Sequence, residues 1–222
     1  MPRIVDLSMP IAQHFRWPVD RQVKGDFAAG DVFQVTRIGL SVHAFTHMDS
    51  QRHILADGFT TDDIALERVV GDCAVVDLTA VAANEGITAE RLEAAGGHVR
   101  PDDIVLLKTA WDRRRSYTTP DYWTDAPFMT REASEWLLAR RPRAVAYDFP
   151  QDETIRLSLQ GIVRPLEENV THDVLLRNGV VMIEYLCNAG ALSGSRTFLC
   201  ALPLKLPGAD GAPARVIALE QD

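Results

Sequence analysis

Cysteine is scarce in this 222-residue chain. Cys73, Cys187 and Cys200 are its only three, each set among apolar neighbours. Their spacing fits no thiolate metal site, so buried thiols and a cytoplasmic setting are expected, with a disulfide or a cysteine nucleophile disfavoured. No run of some eighteen apolar residues occurs, which excludes a membrane-spanning helix. The opening MPRIVDLSMP has too little apolar length for a signal peptide. Phosphate-cradling loops of the GxGxxG or GxxxxGK[ST] kind are absent. Gly39-Leu40-Ser41 and Gly194-Ser195 do not complete the GxSxG frame of a serine nucleophile. Excess positive charge is lacking too: 23 basic against 31 acidic residues give −8, which argues against a nucleic-acid partner. The densest basic patches, Arg113-Arg114-Arg115 and Arg140-Arg141-Pro142-Arg143, read as solvated loops or helix ends. The first could instead lie beside a substrate carboxylate. No repeat, low-complexity tail or linker interrupts the chain. With 46% hydrophobic and 24% charged residues it reads as one globular domain, residues 1–222.

Histidine is also sparse, yet half of the six fall in one stretch. Ser41 to Ile54, SVHAFTHMDSQRHI, places His43, His47, Asp49 and His53 within eleven positions. Imidazole nitrogen and carboxylate oxygen suit Zn²⁺ or Mn²⁺. The spacing leaves two readings open: a metal or acid–base site, or packed, hydrogen-bonded histidines beside a surface aspartate. In a helix His43 and His47 share a face, and in a strand all four odd-numbered residues do. Val32, Phe33, Val35, Ile38 and Val42 favour a strand leading in. His43 is then expected near the strand end, His47 and Asp49 where it opens, and His53 on the returning loop.

The rest of the chain alternates short strands and helices. Arg3–Leu7, Cys73–Leu78, Ile104–Leu107, Ala144–Phe149 and Val180–Ile183 read as strands, and Phe198–Leu206 and Ala214–Leu219 as a closing pair around a Pro-Gly turn. Thr88 and Thr130 are placed to cap helices running to Gly96 and Arg140. Asp20–Asp31 reads as a polar connection or lid. Pro150–Asn169 reads as a surface loop in which Leu157–Val163 packs as a partial strand. Trp17, on a loop before Pro18, suits a pocket wall or a hydrophobic plug, and Trp111, at a strand end, a substrate wall or packing in the core or an interface. Tyr117, Tyr122, Trp123 and Phe128 suit either a cover over an apolar ligand or a seam between copies. Glu184, amid VVMIEYL, needs a partner for its charge: a cation, or a buried salt bridge.

His43-Ala-Phe45-Thr46-His47-Met-Asp49-Ser-Gln51-Arg-His53 resembles the metal-dependent cyclase/hydrolase superfamily that includes bacterial kynurenine formamidase and isatin hydrolase. Members carry His-x-Gly-Thr-His-x-Asp-x-Pro-x-His, so Phe45 replaces a glycine and Gln51 a proline. Trp17-Pro18, Lys108-Thr-Ala110-Trp111-Asp112, and His172 followed by Glu184 and Leu186-Cys187-Asn188 extend the likeness over nearly the full chain. The resemblance implies an α/β fold of the swivelling β/β/α type. It also implies one or two divalent ions, Zn or Mn, with His43, His47 and Asp49 at one and Asp49, His172 and Glu184 at a second. His53 matches the proton shuttle. Trp17, Phe45, Gln51 and Trp111 fall where substrate is bound. The implied reaction is hydrolysis of an amide-type C–N bond in a small aromatic formamide or cyclic amide by a metal-activated water, in a homo-oligomer, a homodimer. A lactonase, lyase or cyclase on the same scaffold is the alternative, as is a metal-binding ligand sensor without turnover.

Overall fold

Among the described residues twelve strands are present, and eight of them form one sheet that closes on itself. The computed structural model describes residues 2–220. The strands are β1 (Arg3–Asp6), β2 (Asp20–Gly25), β3 (Val35–Gly39), β4 (His47–Asp49), β5 (Val70–Asp77), β6 (Gly86–Ile87), β7 (Ile104–Lys108), β8 (Phe128–Met129), β9 (Ala144–Tyr147), β10 (Val181–Glu184), β11 (Arg196–Pro203) and β12 (Gly211–Glu220). The large sheet has the order β1-β12-β11-β5-β7-β9-β10-β4. β5, β7, β9 and β10 run parallel; the other pairs are antiparallel. β12 is long enough to pair with β4 through Gly211–Pro213 and with β1 through Ile217–Glu220, and its pairing with β4 closes the ring.

Period-two alternation decides what lies on each side of that wall. Cys73, Val75, Ile104, Leu106, Ala144, Ala146, Val181 and Ile183 point inward and form one core with Met48 of β4 and Val216 of β12. Val76, Val105, Leu107, Val145, Tyr147 and Met182 point outward into a second core. Both faces are covered, which is why β7 reads as the unbroken apolar run IVLL. The outer face is covered by helices α1 (Ala89–Gly96), α2 (Asp121–Thr124), α3 (Arg131–Ala139) and α4 (Ile155–Ser158), and by a π-helical turn, His172–Leu176. Thr88 and Thr130 cap α1 and α3 as their positions predict: each side chain accepts a hydrogen bond, from the amides of Arg91 and Ala133.

Three local expectations differ from the structure. The strand expected through residues 32–42 is confined to Val35–Gly39, and His47–Asp49 is itself a strand. Phe45, at φ 59°, breaks the extended chain before it, and burial of Met48 inside the ring fixes the register. The expected lid at 20–31 contains β2, which pairs only with β3 in a hairpin standing apart from the main sheet. Leu157–Val163 is not a strand. α4 and the turn at Gly161, φ 71°, occupy that stretch.

Candidate metal centre

Strand alternation assembles the first part of the centre. With Met48 turned inward, His47 and Asp49 face outward from β4. On neighbouring β10 Ile183 points inward, so Glu184 faces outward directly opposite His47. The π-helical turn packed over this face supplies His172, a location where such turns are frequent in functional sites. All four side chains are buried or nearly so.

Their ring nitrogens and carboxylate oxygens converge. His47 Nε2 lies 3.2 Å from Asp49 Oδ1 and 3.7 Å from Glu184 Oε2. His172 Nε2 lies 3.6 Å from Asp49 Oδ2 and 3.6 Å from Glu184 Oε1. Among the described residues no lysine or arginine pairs with Asp49 or Glu184. Two buried carboxylates on one face therefore share a space edged by imidazoles, an arrangement that a cation stabilises.

Each histidine is oriented from behind. His47 Nδ1 lies 2.8 Å from the Phe45 carbonyl and donates to it, so Nε2 presents its lone pair to the carboxylates. His172 Nδ1 is 2.6 Å from Asp152 Oδ2, which again directs Nε2 inward. His43 is reversed: Nε2 is 2.6 Å from Asp210 Oδ2, and Nδ1 faces Asp49 Oδ1 at 2.7 Å. Gly211 makes room for this ring, because a Cβ there would come within 2.7 Å of it. Thr46 ties the two strand ends together, donating to the Tyr185 carbonyl and accepting from the Met9 amide. These donor sets fit a divalent metal ion: nitrogen and oxygen ligands, with outer carboxylates that fix the tautomers.

The electrostatics separate the two carboxylates. Burial opposes ionisation of Asp49, but His47, His172 and His43 outweigh it and hold the acid well below its ordinary range. Burial and the charge of Asp49 push Glu184 up to about 7. Burial also opposes protonation of His43, yet Asp49 and Asp210 push it up to about 9. His53 moves the other way, lowered by desolvation with repulsion from His43 and His172.

His53 stands at the opening of the centre, its ring 4.0 Å from that of His43 and its Nδ1 3.7 Å from Asp210 Oδ2, with a third of its side chain exposed. His43, Asp49 and His53 offer ligand atoms close enough to hold an ion, as do His47, Asp49 and Glu184. A cavity of about 290 Å³ opens here, walled by Trp17, Tyr185, Ile155 and Ile162. Trp17 packs at 5.0 Å against both Phe45 and Trp123 and at 5.3 Å against Tyr185. Phe45 lies behind Trp17, buried, and does not line the cavity directly. Its backbone adopts the left-handed conformation that a glycine would take without strain.

Two further expected substrate contacts, besides Phe45, are not brought into this cleft. Trp111 is fully buried and donates its indole N–H to the Tyr122 carbonyl. It follows the left-handed Ala110, whose amide, with the Thr109 amide and hydroxyl, is held by the buried carboxylate of Asp148. Gln51 reaches away to the Arg177 carbonyl. The patch Arg113–Arg115 is also elsewhere: Arg114 stacks on Trp111 and Arg115 pairs with Asp125. A larger cavity, about 740 Å³, lies on another face beside Arg3, Arg196 and Glu220. Those charges are already paired, Arg3 with Glu220 and Arg196 with Asp103.

Sequence reasoning missed Asp152, Asp210 and Gln151. Asp152 and Gln151 sit in a stretch whose polarity reads as surface, yet both are buried, and Gln151 donates to Glu184. Asp210 lies in a Gly-Ala-Asp-Gly turn, where aspartate has a sufficient local explanation. No linear signal ties either aspartate to a histidine far away in the chain.

The Cyclase family, described as "Putative cyclase", matches residues 5–153. The chain is 29% identical to a kynurenine formamidase of Salinibacter ruber over 96% of each chain. It is 31% identical to cyclase-like protein 1 of Arabidopsis thaliana, over 86% of this chain and 71% of that one. Isatin hydrolase A of Labrenzia aggregata shares the fold, with a TM-score of 0.80 over 100% of this chain and 94% of that one at 23% identity.

Proposed function

This chain belongs to the cyclase/metal-dependent hydrolase superfamily, and on that premise we propose that it hydrolyses an amide-type C–N bond, in an aryl formamide or a cyclic amide, with one or two Zn or Mn ions per subunit. The observation that carries the reading is the convergence of His47 Nε2, His172 Nε2 and the Asp49 and Glu184 carboxylates on one buried space, without a lysine or arginine paired to either acid among the described residues. His47, Asp49, His172 and Glu184 hold the ion, and His43 with Asp49 extends the set toward a second. A divalent cation there supplies Lewis acidity and lowers the pKa of water.

The chain's own groups do the rest. Phe45 O, Asp152 and Asp210 fix the three imidazole tautomers. His53, at the opening and biased toward its neutral form, accepts a proton from the attacking water and returns it to the leaving nitrogen. Trp17 and Tyr185 give the cleft an aromatic wall and Phe45 fixes Trp17 from behind, which suits a planar substrate. The working form is a homo-oligomer. In support, the hairpin β2–β3 exposes Phe27, Phe33, Val35 and Ile38, and an isolated two-stranded hairpin is marginal in water unless covered. The three unpaired thiols suit the cytoplasm.

The test is hydrolysis of an aryl formamide and a cyclic amide by protein stripped of metal and then reloaded with Zn or Mn, with products analysed in ¹⁸O-water. Metal-dependent appearance of label in the new carboxylate supports the proposal. A metal-loaded protein that turns over esters or lactones but no amide would overturn it.

A further inference from the structure

The cleft is crowded with carboxylates, yet its rim carries a guanidinium that none of them holds. Arg16 lies on the loop before Trp17 and lines the cavity that contains His47, Asp49 and Glu184. It also lines a second cavity of about 600 Å³, bounded by Phe15, Trp17, Pro120 and Leu159, so it stands where the two spaces adjoin. Its guanidinium packs over the Trp123 ring at 4.7 Å and lies 5.9 Å from that of Trp17. Among the described residues its side chain forms no hydrogen bond or ion pair. The other arginine lining the cleft, Arg164, is held by both carboxylate oxygens of Glu168.

Stacking on an indole fixes the plane of a guanidinium while leaving its N–H edge free, and that edge matches a carboxylate in two-point geometry. The loop is itself braced: the Arg16 amide donates to His14 Nδ1, and the opposite nitrogen of that ring is bound to the Tyr117 carbonyl at 2.8 Å. An arginine serving only to offset the acidity of the centre would be expected to pair with one of its carboxylates. Arg16 is instead held at the rim by aromatic rings.

We propose that Arg16 binds a carboxylate of the substrate distinct from the scissile acyl group, so that the preferred substrate is an anionic aryl amide. This rests on the amide-hydrolase reading above and adds the charge that the cleft selects. Arg16 is a specificity residue and takes no part in bond breaking.

Metal-loaded wild-type protein, Arg16→Met and Arg16→Lys should be compared on a matched pair, 2-formamidobenzoate and formanilide, which differ by one carboxylate. A charged hydrogen-bonded pair of this kind corresponds to a selectivity of about 10- to 100-fold. Arg16→Met, which keeps an apolar stem against Trp123, should lower the ratio of kcat/KM for the acid over the neutral amide by that factor, chiefly through KM. Arg16→Lys should restore part of it. An unchanged ratio would overturn the proposal. Equilibrium binding of anthranilate and aniline to the same proteins gives a readout that needs no turnover. Selective weakening of anthranilate by Arg16→Met supports the assignment, and equal weakening of both, or of neither, refutes it. If neither formamide is hydrolysed while binding remains selective, the amide reaction is wrong and the carboxylate site stands.

Discussion

Glu184→Gln separates a metal ligand from an acid held in a buried salt bridge, because the two roles predict opposite effects on the metal-free protein. Asp49 and Glu184 belong to a group whose ligand atoms lie within 4.8 Å of one another. At an effective dielectric constant of about 20, two unit charges at that distance repel by about 3.5 kcal/mol. Glu184 is raised to about 7 from an ordinary 4.5, first by burial and then by Asp49, which together correspond to about 3 kcal/mol against the charged form. Folding then favours the protonated acid, so stability of the metal-free protein is greatest below about pH 4.5 as far as this group is concerned. It falls as pH rises through about 7. Glutamine removes the charge and keeps an amide oxygen that can accept from Gln151. Without metal at pH 8, Glu184→Gln should therefore melt higher than wild type, by about 6–12 °C at about 2–4 °C per kcal/mol for a chain of this size. With metal the order should reverse. Free metal at about 100 times its Kd stabilises the wild type by about 2.7 kcal/mol, and the variant, having lost a charged ligand, should gain far less at the same concentration. Differential scanning calorimetry with chelator and then with Mn²⁺ or Zn²⁺, alongside elemental analysis, reads both effects. A variant that melts lower without metal and gains the same stabilisation from it would refute the ligand role.

Other perturbations probe the surrounding parts. His53→Asn should leave metal content intact and lower kcat by about 10²–10⁴-fold, with loss of one limb of the pH–rate profile; metal lost in proportion to activity would make His53 a ligand instead. Asp210→Asn and Asp152→Asn should each weaken metal affinity by about 10- to 100-fold without unfolding the chain, measured by competition with a chromogenic chelator. Gly211→Ala should displace the His43 ring, since the added Cβ would sit 2.7 Å from it, and lower metal occupancy in elemental analysis. Phe45→Gly should relieve about 1 kcal/mol of left-handed strain while losing the packing against Trp17, for a net destabilisation of about 2–4 kcal/mol by chemical denaturation.

The sequence by itself determined the chemistry available and much of the frame. His43, His47, Asp49 and His53 are neighbours in the chain, so any fold keeps them close, and alternation along β4 needs only local geometry to put His47 and Asp49 on one side. The apolar strands β5, β7, β9 and β10 and the threonine-capped α1 and α3 are legible for the same reason: their signals lie within a few residues. Tertiary structure alone decided the rest. Glu184 is 135 residues from Asp49 and reaches it only because β10 pairs with β4 in a register that places Glu184 opposite His47. Asp152 and Asp210 are ordinary loop acids until strand closure carries them behind His172 and His43. Trp111 and Trp17 look alike as aromatics beside a turn, but the Asp148 carboxylate holds the turn before Trp111 within the core, while Trp17 closes over the cleft. Arg16 shows no local pattern at all: its free edge becomes meaningful only once Trp123 lies beneath it. Short-range periodicity records which face a residue occupies. The partner across that face is set by strand register and ring closure, which depend on the packing of the whole chain.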